Sequence, residues 1–104
     1  MLKNDELTLS MLRNIEALQN QKSLSQKLGI SIGKTNYILK ALIDKGFVKA
    51  ENFFANKNKN QYKYLLTPKG IEEKIALTQN FIQRKKAEYE ELQRELEIWR
   101  LQIK

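Results

Sequence analysis

The stretch GISIGKTNYILK, residues 29–40, gathers the side chains of this chain best suited to meeting a polyanion. Wound as a helix capped by Ser31, it turns Thr35, Ile38, Leu39 and Leu42 inward at i, i+3, i+4 and i+7. Gly33, Lys34, Asn36, Tyr37 and Lys40 are then left on the outward face. Lysine and tyrosine donate to phosphate oxygens and asparagine bridges the major-groove edge of adenine, so such a face could hold a duplex backbone and read bases. The same residues look at first like a nucleotide-binding loop. That loop needs four residues between its glycines, whereas Ile30, Ser31 and Ile32 alone separate Gly29 from Gly33, and no buried strand precedes them. Gly29 therefore reads as a sharp turn between two helices, and nucleotide hydrolysis is not implied.

Composition narrows the remaining chemistry. The 104 residues contain neither cysteine nor histidine, which removes disulfides, thiol redox chemistry, the usual zinc sites and histidine acid–base catalysis. No spacing of carboxylates, or of serine and lysine, supports another catalytic centre, so no enzyme, cofactor or metal is expected. The chain has no run of about 18 apolar residues and no apolar N-terminal segment. Neither membrane insertion nor export is expected, and the implied location is cytoplasmic, with the nucleoid. A net charge of +7 points to a polyanionic partner, and its distribution is informative. Residues 1–70 carry 12 Lys and Arg against 5 Asp and Glu, whereas residues 71–104 carry 7 against 7. All the excess lies in the first two-thirds, which marks that part as the phosphate-facing module.

The elements needed to position residues 29–40 follow from periodicity. Leu7, Met11, Leu12, Ile15 and Leu18 recur at helical intervals and predict a first helix from about residue 4 to 19. Ser23 is the expected N-cap of a short second helix that ends before Gly29, with Leu24 and Leu28 on one face. The third helix stops at Lys45 and Gly46. The period then falls towards two, and residues 47–53 and 61–67 are rich in β-branched and aromatic types, as strands are. Between them FANKNKN is too polar to bury and predicts a hairpin tip. There Lys57 and Lys59 alternate with asparagines, a pattern suited to phosphate or minor-groove contact. Thr67 and Pro68 open a last helix, as N-cap and first-turn residue. Nothing breaks that helix afterwards, and its length of roughly 50 Å at 1.5 Å per residue exceeds what so small a core can cover.

Helix, turn, helix and hairpin in this order constitute a winged helix-turn-helix, in which the second helix of the pair enters the major groove. The expected fold is mainly α (α+β), with a winged domain over residues 1–70 and a C-terminal dimerisation helix over 71–104. On that helix a heptad phase places Ile75, Ile82, Tyr89, Leu96 and Ile103 at one position and Ile71, Thr78, Lys85, Leu92 and Trp99 at the other. Thr78 and Lys85 interrupt the first half. The expectation is that residues 71–82, with Leu77 and Phe81, pack partly on the winged domain. Tyr89, Leu92, Leu96, Trp99 and Ile103 would pair with a second copy, since alone they form an unmatched apolar patch.

The strings LSQKLGISIGKTNYILKALIDKGFVKAEN and YKYLLTPKGIEEK together resemble the MarR-type winged-helix repressors, and within them the short bacterial group associated with exopolysaccharide. The resemblance implies a bacterial transcriptional regulator, a homodimer on a roughly palindromic double-stranded operator. By position it assigns Ser31, Gly33, Lys34, Asn36, Tyr37 and Lys40 to the recognition-helix surface and Lys57 and Lys59 to the wing. The aspartate–arginine pair usual in such wings is absent here. The chain is also shorter than typical members, so ligand sensing does not carry over. The competing expectation is a protein-interaction adaptor that keeps the winged fold as a scaffold and pairs its last helix with a different protein.

Overall fold

The computed structural model describes residues 4–18, 20–53 and 61–103. The elements run α1 (Asn4–Asn14), α2 (Gln21–Leu28), α3 (Ile32–Asp44), β1 (Val48–Phe53), β2 (Gln61–Leu66) and α4 (Pro68–Gln102). This is the expected winged helix-turn-helix order, with a C-terminal helix of 35 residues. The hairpin tip, residues 54–60, lies outside the described residues, and with it Lys57 and Lys59.

The core explains why these segments became helices. Met11, Leu12, Ile15, Leu24, Leu39, Val48, Tyr64 and Leu77 are buried in one cluster drawn from every element. On α1 the buried set also includes Leu7 and Leu9. At about 100° per residue these positions cover just over half of the helix circumference, wider than a single apolar stripe. The reason is that α1 packs against both α2 and α4. The helix ends at Asn14, five residues short of the expected end, where the Asn14 amide donates to the Ser10 carbonyl at 2.7 Å, and one further turn is closed by the Leu18 N–H on the Asn14 carbonyl at 2.9 Å. Such side-chain competition for a backbone acceptor favours termination.

Three caps place the recognition region. Asn20, in extended conformation, caps α2, its Oδ1 accepting from the Ser23 N–H at 2.7 Å. Ser23 is thus the recipient of the cap instead of its provider, and α2 begins three residues before the expected point. At the other end Gly29 closes α2 at φ 68°, a left-handed conformation that a side chain would strain. Ser31 caps α3 as expected, accepting from the Lys34 N–H at 3.0 Å. Gly46, at φ 79°, reverses the chain after α3.

β1 and β2 pair antiparallel, Val48 opposite Leu66 and Glu51 opposite Lys63. The hairpin joins α4 through one compact junction. Thr67 caps α4 by accepting from the Gly70 N–H at 3.0 Å, and its hydroxyl donates to the Gly46 carbonyl. The Thr67 N–H donates to the Phe47 carbonyl at 3.1 Å, and Lys69 lies over the Phe47 ring, 5.4 Å from its centre. One residue therefore ties the end of the helix-turn-helix to the start of α4. Replacing it, Thr67→Ala, should lower stability by about 1–2 kcal/mol, the usual effect of losing an N-cap together with a second bond. Urea unfolding followed by circular dichroism measures this directly.

The first half of α4 meets the domain differently from expectation. Leu77 is buried and Phe81 packs beside it, but Ile71, Ile75 and Ile82 are each about half exposed. The helix carries two apolar faces there, and the domain takes the one containing Leu77 and Phe81. No described helix is long and apolar enough to cross a membrane.

Candidate nucleic-acid interface

The residues of α3 divide cleanly. Thr35, Leu39 and Leu42 are buried, Ile38 is partly so, and Thr35 satisfies its hydroxyl by donating to the Ser31 carbonyl at 2.9 Å. Roughly opposite them, Gly33, Tyr37, Lys40 and Asp44 follow one another at i, i+4, i+7 and i+11 and form a single exposed stripe. Lys34 and Asn36 flank it on either edge. Tyr37, the one aromatic residue of α1–α3, is 74% exposed, and no described side chain hydrogen-bonds its hydroxyl.

Two expected contacts are more constrained than the sequence implied. Ser31 is exposed, but its oxygen is engaged as the α3 cap. Asn36 is half-buried, and its Oδ1 accepts from Gln21 Nε2 at 3.1 Å. That same amide lies 3.5 Å from the Tyr64 hydroxyl. Gln21 thus bridges α2, α3 and β2 and fixes the Asn36 amide so that its NH2 group is the end left to donate. Sequence reasoning treated Gln21 as part of an interrupting turn, although a residue immediately after the Asn20 cap must lie in the first turn of α2.

Two more residues join the surface. Ile32, at the tip of α3, is 53% exposed and stands beside the cap, where an apolar side chain can touch a thymine methyl. Asp44 sits at the far end of the exposed stripe. A carboxylate there repels phosphate, so the usable surface is the N-terminal half of α3, from Ser31 to Lys40.

Electrostatics in the wing stem follow from its pairs. Lys49 and Glu51 form an exposed ion pair at 2.9 Å, and Glu51 also faces Lys63 across the hairpin. The stem thus sets two lysines against one glutamate and keeps a single net positive charge, while α2 and α3 add Lys22, Lys27, Lys34 and Lys40, all exposed. Among the described residues no cluster of three potential metal ligands occurs.

The comparisons with known proteins agree with this geometry. A protein-family profile described as winged helix-turn-helix DNA-binding matches residues 1–49. No curated protein sequence matches the chain. Among solved structures, MarR of Staphylococcus aureus, in complex with salicylate and kanamycin, is similar at 26% identity and a TM-score of 0.60, over 77% of this chain and 53% of that one. The chain is a winged helix-turn-helix protein, similar in fold to MarR regulators. A MarR transcriptional regulator from Methanosarcina mazei Go1 shares the fold at 24% identity and a TM-score of 0.65, over 88% of this chain and 72% of that one. A single-site variant of S. aureus MepR bound to an oligodeoxyribonucleotide does so at 17% identity and a TM-score of 0.63, over 99% and 80%. The chain spans about half the length of S. aureus MarR.

Proposed function

We propose that the protein is a transcriptional regulator that binds double-stranded DNA sequence-specifically as a homodimer and acts as a repressor, in the cytoplasm at the nucleoid. The observation that carries this reading is the exposed, positively flanked stripe on α3, with Gly33, Lys34, Tyr37 and Lys40 outward on the second helix of a helix-turn-helix. In this arrangement Lys34 and Lys40 neutralise phosphates, Tyr37 donates to one, and Asn36, held by Gln21, presents its amide to a base edge. Residues 1–70 serve as the DNA-binding module. Residues 71–104 join two copies through Tyr89, Leu92, Leu96, Trp99 and Ile103, so that each dimer reads two half-sites.

Gly33 adds support of a different kind. It lies in the first turn of α3, where glycine loses more backbone freedom on folding than alanine would. Yet a Cβ built there meets nothing closer than Ser31 Oγ at 4.0 Å, and its φ is not positive. Nothing among the described residues explains the glycine, whereas close approach of a nucleic-acid backbone does. Gly33→Ala should therefore raise thermal stability slightly while weakening operator binding several-fold. Unchanged binding would remove Gly33 from the interface.

The direct test selects bound fragments from random duplex DNA and then measures binding by fluorescence anisotropy. Lys34→Ala, Asn36→Ala and Tyr37→Ala should each reduce affinity for the selected site, by about 1–3 kcal/mol for a base contact, with unaltered helical circular dichroism. Affinity should also fall steeply between 50 and 200 mM salt, as counterion release requires. Failure of all three substitutions to weaken binding would reject this surface.

A further inference from the structure

The face of α4 that the domain leaves open is a continuous seam. Ile71, Ile75, Ile82, Tyr89, Leu92, Leu96, Trp99 and Ile103 are all exposed, at alternating spacings of three and four residues apart from Thr78 and Lys85. Over the first half of the helix this seam and the domain-facing Gly70, Leu77 and Phe81 are centred roughly a third of the circumference apart. A second helix can therefore lie along the whole seam without meeting its own domain.

We infer that the occupant is α4 of a second copy, running antiparallel, in the register that sets residue i against residue 174 − i of its partner. This rests on the homodimer reading and adds the direction and register of pairing. In that register Ile71 meets the partner's Ile103, Ile75 its Trp99, and Ile82 its Leu92, so every exposed apolar residue of the seam is covered. The two polar interruptions also find partners. Thr78 lies against the partner's Leu96, and Lys85 lies over the partner's Tyr89 ring, beside the partner's Glu88. Lys85 already sits over the Phe81 ring at 5.1 Å and 3.4 Å from its own Glu88, so it is accustomed to this company. At the flanks Glu72 faces the partner's Arg100. Lys86 and Glu88 approach their own copies only at the solvated edge, where like charges are screened.

The alternatives leave more unpaired. A parallel, in-register pair stacks Lys85 on Lys85 within the seam, where no opposite charge separates them. An antiparallel pair centred seven residues further along, which sets Leu92 against Leu96, leaves Ile71, Ile75 and Ile82 in water and opposes Glu95 to Glu95.

Symmetry supplies the functional consequence. The two-fold axis of the antiparallel pair crosses the helices at the level of Ala87, perpendicular to them, so both winged domains lie on one side of the rod. Leu77, at the centre of the domain contact, is ten residues from that level. Two such contacts are then about 30 Å apart along the rod at 1.5 Å per residue, close to the roughly 34 Å turn of a duplex. A parallel pair would instead place the domains on opposite sides at no axial separation.

The absence of native cysteine makes the test clean. Ile82→Cys and Leu92→Cys chains are prepared singly and as an exchanged mixture, oxidised at low concentration, and compared with Gln83→Cys on the outer face. All three positions are exposed or half-exposed, so circular dichroism should match the parent. The mixture should cross-link to twice the chain mass, while each single variant and the Gln83→Cys control stay uncross-linked. Self-cross-linking of Ile82→Cys and Leu92→Cys would establish parallel pairing and overturn the proposal. A chain that sediments as a dimer but cross-links in no sample would overturn the register alone. A chain that sediments as a monomer would overturn the homodimer reading with it, whatever its affinity for DNA.

Discussion

Gly70→Ala should destabilise the protein more than alanine at any of its other three glycines. A Cβ on Gly70 would overlap the Phe47 carbonyl oxygen and lie 2.9 Å from the Phe47 carbonyl carbon and 3.2 Å from its Cα. These are backbone atoms, which cannot swing aside as a side chain would. The carbonyl is moreover already held by the Thr67 N–H, and Gly70 donates its own N–H to the Thr67 hydroxyl. Accommodating the methyl group means lifting the first turn of α4 off the strand junction and losing both bonds. Overpacking of this type costs about 3 kcal/mol or more, a large share of the roughly 5–15 kcal/mol that holds a domain together. For a chain of this size that corresponds to a fall in melting temperature of about 10–20 °C. Differential scanning calorimetry of Gly70→Ala beside Gly33→Ala makes the comparison sharp, since the same methyl group meets open space at Gly33. Melting temperatures within a degree or two of the parent for both variants would show that the α4 junction yields easily.

These two glycines show where sequence reasoning reaches and where it stops. The winged helix-turn-helix order was legible because each boundary carries a local signal: Gly29 in a left-handed turn, Ser31 and Thr67 as caps, Pro68 in the first turn, and a change of period after Gly46. Gly70 has no such signal, because its cause is the Phe47 carbonyl, more than twenty residues away in the chain. Local reasoning also erred where two residues offered the same chemistry. Asn20 and Ser23 are both good caps, and the choice between them depends on how the chain leaves α1, which ends at Asn14 and not near residue 19. Burial of Leu9 was missed for a related reason: a one-faced helix pattern cannot announce that α4 covers a second face.

For the recognition surface the division was similar. The outward face of α3 could be read from the inward periodicity of Thr35, Leu39 and Leu42, since those positions dictate their opposites. What periodicity could not reveal is that Asn36 is tethered by Gln21, or that Asp44 closes the stripe. The first depends on how α2 crosses α3. The second was overlooked although the spacing from Lys40 is one helical turn. On α4 the pattern contained two apolar faces, and which of them meets the domain is decided by packing. Only the fold assigns Leu77 and Phe81 inward and leaves Ile71, Ile75 and Ile82 for something else.

The double variant Leu92→Glu, Leu96→Glu puts that something else to the largest functional test. Both residues are exposed on α4, at 60% and 43%, and neither touches the winged domain core, so the domain should keep its circular dichroism and its thermal transition. Four like charges would, however, enter the apolar seam of a dimer, each needing to shed water with no partner to receive it. Sedimentation should then report a monomer at micromolar concentration. DNA binding should fall with it, because two joined half-site modules gain about 100- to 10,000-fold over either alone when the linkage matches the spacing of the sites. The loss should be in affinity for the full site, whereas binding to an isolated half-site should change little. This pattern separates the regulator from an adaptor. An adaptor that uses α4 to hold a different protein would lose that partner on substitution yet show no cooperative loss on a two-half-site duplex. Equal affinity of parent and variant for the full site would mean that α4 does not couple the recognition helices, and the winged domain would then act on DNA alone.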